Sequence, residues 1–215
     1  MTTKSLSVPH IASLLHYKDM NNISTVLDGL KKTAVNMAPW QATFPYKPKV
    51  NFTMAHTEGF IFLKFYVSEK AIRAVNTDSN GAVYEDSCVE FFVNFDEKGY
   101  YNIECNCIGT MLMGFGPERN NRERLPAEVI RKIQFQATLN NNTKDKIIDW
   151  TMTLAVPLSV FIHHPSLSLS GKTGRANFYK CGDKLPEPHY LTWSTIEFAK
   201  PNFHLPAFFG KVNFE

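Results

Sequence analysis

Between Cys88 and Cys107 two runs of alternating residues flank a short charged segment ending in glycine, a pattern that leaves few folds open. The first run is Cys88-Val89-Glu90-Phe91-Phe92-Val93-Asn94-Phe95 and the second is Tyr100-Tyr101-Asn102-Ile103-Glu104-Cys105-Asn106-Cys107. Aromatic and β-branched residues dominate both, so they read as two strands of a hairpin joined through Asp96-Glu97-Lys98-Gly99. A three-residue loop with Gly99 in the left-handed position sets Asn94 opposite Asn102, Phe92 opposite Glu104 and Glu90 opposite Asn106. The side-chain period of two then gathers Val89, Phe91, Val93 and Phe95 with Tyr101, Ile103, Cys105 and Cys107 on a core face. Glu90, Asn94, Asn102, Glu104 and Asn106 share the other face. Folding does not call for such a row of amides and carboxylates, and a carboxylate inside an apolar strand needs a partner. The row reads as the polar floor of a binding site.

The rest of the chain repeats the strand signal at short intervals. Val50, Phe52 and Met54 alternate with polar or small residues, and Phe60 to Val67 is apolar on both faces, as a central covered strand is. Further strands are expected at Gly109 to Phe115, Ile133 to Leu139, Ile148 to Val156, Arg175 to Cys181, Tyr190 to Ser194 and Phe208 to Phe214. Helical patches are confined to Val8–Lys32. Regular short strands of this kind predict an all-β fold, an antiparallel, jelly-roll-like β-sandwich with a short helical N-terminal arm. No linker or repeat divides the chain, so residues 1–47 are expected as an arm packed on a sandwich of residues 48–215, one domain in all.

Composition excludes several functions. The net charge of +3 is spread along 215 residues, with no basic block that would suit nucleic acid or an anionic membrane. No apolar run approaches the ~20 residues of a membrane span, and the N-terminus lacks a signal-peptide core. A cytoplasmic protein is expected from the sequence as written, or a periplasmic or secreted one if a leader has been removed. The four cysteines lack metal-site spacing and read as buried free thiols. Trp150 and Trp193 read as core, and His163-His164 as a solvated turn. No resident cofactor is implied, although the Asp78 loop with Asp86 nearby offers oxygen ligands that could hold calcium.

Several stretches, in order, resemble the family 9 carbohydrate-binding modules and their stand-alone bacterial relatives. They are Tyr84-Glu85-Asp86-Ser87-Cys88-Val89-Glu90, Tyr101-Asn102-Ile103-Glu104, Arg175 to Lys180, Leu191-Thr192-Trp193-Ser194 and the ending Pro201 to Gly210. The resemblance runs from about Val50 to the C-terminus and implies a non-catalytic module that holds a sugar between two aromatic rings. The first ring maps onto Tyr84 and the second onto Phe203, with Glu90, Asn102, Glu104, Lys180 and Asp183 bonding to hydroxyls. The implied partner is a mono- or oligosaccharide, with association with glycoside hydrolases in polysaccharide utilisation, and neither nucleic acid nor membrane. Tyr and Phe replace the family's usual tryptophans, and Asn102 stands where an arginine is often found. The stacking surface is therefore smaller and one bidentate donor is missing.

Two rival readings start from the same residues. Glu90 and Glu104, diagonal in the register above, could serve as an acid/base pair for glycoside hydrolysis. Alternatively, the fold could persist as a structural or interaction domain without sugar binding.

Overall fold

The computed structural model describes residues 4–16, 19–142 and 146–215. Among these the alternating runs become thirteen strands: β1 (Ser5–Val8), β2 (Thr33–Ala34), β3 (Lys49–His56), β4 (Phe60–Glu69), β5 (Cys88–Asp96), β6 (Gly99–Asn106), β7 (Met111–Gly116), β8 (Glu123–Arg124), β9 (Gln134–Asn142), β10 (Ile147–Pro157), β11 (Thr173–Cys181), β12 (Tyr190–Thr192) and β13 (Gly210–Phe214). Helix α1 (Met20–Asp28) starts where the Asp19 side chain accepts a hydrogen bond from the Asn21 amide at 3.0 Å, which satisfies one of its free N–H groups. A single turn, α2 (Ala127–Ile130), follows β8.

The strands form a β-sandwich. One sheet runs β2-β3-β4-β10-β9, and the larger runs β1-β13-β11-β5-β6-β7-β8, with β12 also paired to β11. β12 and β13 occupy the same edge of β11 in succession, β13 beside Thr173–Ala176 and β12 beside Tyr179–Cys181. All pairings are antiparallel except β1 on β13. Facing side chains fill the gap between sheets: Phe52 stacks on Phe178 at 3.8 Å between centroids, and Phe178 lies 5.2 Å from Phe91. The other face of β4 is covered too, because Ile23 and Leu27 of α1 bury Phe62, as its two-sided apolar run requires. The first 47 residues do more than pack on the sandwich. They lend β1 to one sheet and β2 to the other.

The large sheet is apolar on its outer face as well. Cys88, Phe92, Tyr100, Leu112, Tyr179 and Cys181 form a second cluster there, covered by Trp40, Ile196, Phe203 and Phe209 from segments that fold back over the sheet. That cover positions the site described below.

The β5–β6 hairpin keeps its expected faces but not its register. The turn holds two residues, Glu97 and Lys98, and the Lys98 amide bonds the Asp96 carboxylate at 2.8 Å. Gly99 takes φ +153°, a conformation that side chains oppose, and is not in the left-handed helical position. A bulge follows, in which Asn94 and Phe95 together face Tyr100. The two changes slide the strands by two residues, so Glu90 stands directly opposite Glu104 and Phe92 opposite Asn102. An even slip leaves every side chain on its original face, and the expected core row is intact.

Lys180 departs from its expected place beside the clamp. Tyr179 and Cys181 point outward, so Lys180 points into the sandwich, fully buried. Its ammonium lies 3.0 Å from the Glu69 carboxylate, 2.8 Å from His189 Nε2 and 6.0 Å from the centroid of the Trp150 ring. Trp150 Nε1 donates to Glu69 at 2.7 Å, and burial with the neighbouring ammonium lowers the His189 pKa to about 3, so the imidazole accepts from Lys180. His163 and His164 are also part-buried and paired, His164 with Tyr101 and Asp96. Removing one partner of a closed ion pair strands the other. Lys180→Ala is therefore expected to cost about 3–5 kcal/mol, read as a lower urea midpoint at unchanged slope; a loss below ~1 kcal/mol would mean that the pair is not closed to water.

Candidate functional site

Glu90 and Glu104 open outward from the large sheet into a cavity of about 380 Å3. Its walls come from four places. Tyr84 stands on one turn of 3₁₀ helix (Val83–Glu85) whose Val83 is buried in the outer cluster. The Tyr84 carbonyl accepts from the Asp183 amide at 3.1 Å, which joins this turn to the end of β11, and Lys184 pairs with Glu85 at 3.0 Å. Asp183, Cys181 and Tyr190 form the wall beside it. Phe203 and His204 come from the segment between β12 and β13. Arg119, Arg122 and Arg124 close the remaining side.

Each wall has a local cause. Phe203 stacks face to face on Tyr179, 4.1 Å apart and 8° from parallel, and its carbonyl takes the Tyr179 hydroxyl at 3.1 Å. Trp40 lies 6.0 Å from the same ring and anchors its own indole N–H on the Phe198 carbonyl. Arg122 lies over the Tyr100 ring, 4.0 Å from its centroid, with Nε 3.2 Å from Asn102 Oδ1 and its other nitrogens on the carbonyls of Tyr100, Gly114, Gly116 and Glu118. Gly116 permits this return: a Cβ there would meet the Asn121 carbonyl at 2.3 Å.

Electrostatics distinguish the floor from an ordinary row of acids. The Glu90 carboxyl is buried and accepts from the Cys181 thiol at 3.1 Å, and burial, with Glu104 facing it, raises its pKa well above the usual range. Burial pushes Glu104 up to about 7, although Asn102, donating at 2.9 Å, and Arg124 and Arg122 hold it down. Burial pushes Asp183 up to about 6. Burial of the facing pair thus favours holding a proton on it, and a protonated carboxyl can both donate and accept. His204, desolvated and facing the arginines, is lowered to about 3 and stays neutral, its Nδ1 2.9 Å from the Tyr100 hydroxyl.

Of the residues expected at the site, Tyr84, Glu90, Glu104, Asp183 and Phe203 line one cavity. Tyr84 is 38% exposed, whereas Phe203, with one face against Tyr179, is 8% exposed. Asn102 sits behind them, fully buried, between Glu104 and Arg122. Lys180 lies on the opposite side of the sheet. The floor is narrower than the sequence suggests. Asn94 bonds the Gly99 carbonyl, and Asn106 bonds the Asn76 carbonyl and Asp86, so both amides hold turns. Asp86, considered above for calcium, is buried and spends its oxygens on Arg73, Asn106 and the amides of Val75 and Asn76. Sequence reasoning missed the three arginines, Tyr190 and His204. The arginines lie in the polar segment 116–124, and nothing in its pattern ties it to the floor.

The sequence model described as carbohydrate-binding family 9 matches residues 21–214, nearly the whole chain. The chain belongs to carbohydrate-binding family 9. A Bacteroides uniformis structure named "a putative carbohydrate-binding protein" is 37% identical, with a TM-score of 0.89 over 100% of both chains. A family 9 module of Caldicellulosiruptor kristjanssonii in complex with cellotriose is 11% identical, with a TM-score of 0.65 over 99% of this chain and 94% of that one. The same source with glucose gives 12% identity and a TM-score of 0.61 over 99% and 96%. These last two share the fold. No curated protein matched the chain.

The floor of this cavity has a pH signature of its own. Unfolded, Glu104 loses its proton near pH ~4.3, whereas folded it keeps it to about 7. The stability this group contributes is thus full below the lower value and lost as pH rises through the higher one. Glu104→Gln keeps the neutral form at all pH. Its melting temperature should gain several degrees on wild type between pH 5 and pH 8, and an equal difference at both values would contradict the assignment.

Proposed function

We propose that this cavity binds one sugar ring of a carbohydrate without turning it over. Pyranose rings present apolar C–H faces and hydroxyl rims, and so need flat aromatic walls with hydrogen-bonding groups at the edge. In this reading Tyr84 supplies the exposed ring and Phe203 the opposing wall. Glu90, Glu104 and Asp183 bond to hydroxyls, and Asn102 acts by holding Glu104. Lys180 has no part in it, because its ammonium is used inside the sandwich. The observation that carries the proposal is the pair of buried carboxyls that meet only this cavity, with an exposed tyrosine beside them.

Hydrolysis is the rival that the same carboxyls raise. A glycosidase places its two carboxyls on either side of the scissile bond. Here Glu90 and Glu104 are cross-strand neighbours on one floor and would approach a sugar from the same side. Binding is the better reading.

Tyr84→Ala should reduce affinity for the best ligand from a glycan array at least about tenfold in calorimetry while leaving the melting temperature nearly unchanged. Unaltered affinity would remove Tyr84 from the site. Release of reducing ends on prolonged incubation with the same ligand would replace the binding reading with an enzymatic one.

A further inference from the structure

The arginine wall of the cavity is not explained by folding. Arg122 spends its donors on Asn102 and backbone carbonyls while lying on Tyr100, so it is a fixed positive charge. Among the described residues no carboxylate lies within ion-pair distance of Arg119, Arg122 or Arg124. Of the acids beside them in the chain, Glu123 pairs with His163 and the exposed Glu118 forms no ion pair with a described residue. The side chains of Arg119 and Arg124, unlike that of Arg122, donate to no described residue, so their guanidinium groups are available to a ligand.

The acids inside the cavity do not cancel this charge. Glu90 and Glu104 are buried together, and in such surroundings one of two facing carboxyls stays protonated. The other carboxyl of the pair and Asp183, on the far wall beside Tyr190, leave at most two carboxylates facing three guanidinium groups. A neutral sugar needs hydroxyl partners, which the floor provides. It does not need three guanidinium groups focused on a cavity of about 380 Å3.

We propose, resting on the sugar-binding reading of this cavity, that its ligand is an acidic sugar whose carboxylate or sulfate group is held by Arg119 and Arg124. Both anions present paired oxygens that match the guanidinium fork, which makes arginine better suited to this task than lysine. Tyr84 and Phe203 then face the ring, Glu90 and Glu104 its hydroxyls, and the anion lies toward the loop between β7 and β8.

Calorimetry on the full chain can test this with D-glucuronate, D-galacturonate and glucose 6-sulfate, each beside its neutral counterpart: the parent hexose and, for the uronates, the uronamide. At least one anionic sugar should bind about tenfold or more tightly than its neutral partner, with a preference that shrinks at high salt. A uronate preference without a sulfate preference would identify the anion as carboxylate, and the reverse as sulfate ester. The double variant Arg119→Gln/Arg124→Gln should keep its melting temperature and lose the preference, binding the anionic sugar no more tightly than its neutral partner. Neutral sugars binding as well as or better than every anionic counterpart would overturn the acidic ligand and leave sugar binding standing. If neither set bound, and a glycan array carrying acidic glycans were also blank, both readings would fall.

Discussion

A sheet that is apolar on both faces must be covered on both, and most of this molecule follows from that. The inner face of the large sheet packs on the smaller sheet through Phe52, Phe91 and Phe178. Its outer face carries Phe92, Tyr100, Leu112 and Tyr179, each worth roughly 1.5–3 kcal/mol when removed from water. Among the described residues no second sheet lies there. The cover comes from irregular chain: Trp40, the turn at Val83 and the long excursion between β12 and β13 that carries Phe203. Segments that meet a sheet from different directions do not tile it completely. The cavity is the gap they leave, floored by the two positions on the outer face where the sheet presents carboxyls instead of rings.

Those two carboxyls set the chemistry of the gap. Placed opposite each other on adjacent strands and largely cut off from water, they cannot both be charged at ordinary cost. Retaining a proton gives the floor a donor as well as acceptors, which suits a ligand whose hydroxyls do both. It also leaves fewer negative charges opposite the surrounding arginines. The same burial that holds a proton on the pair therefore makes the wall around it more positive than a count of acids and bases suggests.

Much of this architecture is legible in the order of residues. Alternation placed the strands, and the inner row of the hairpin was right because a slip of two residues returns every side chain to its own face. The register itself was not legible, since a two-residue turn followed by a bulge and a three-residue loop accommodate the same Glu97-Lys98-Gly99. Lys180 shows a second limit. Phe178 and Tyr179 are both large and apolar, so alternation along β11 does not say which points inward, and Lys180, two residues on from Phe178, follows that ring to whichever face it takes. The arginine wall shows a third. Arg122 bonds Asn102 and lies on Tyr100 from a loop twenty residues further along the chain, and only tertiary contact reveals it.

The parallel pairing of β1 with β13 has a mechanical consequence. Ser5 lies beside Lys211 and Val8 beside Phe214, so the chain enters this pair at one end and leaves it at the other. Tension between the incoming and outgoing chain would act along the two strands, loading their hydrogen bonds together as a shear instead of opening them one by one.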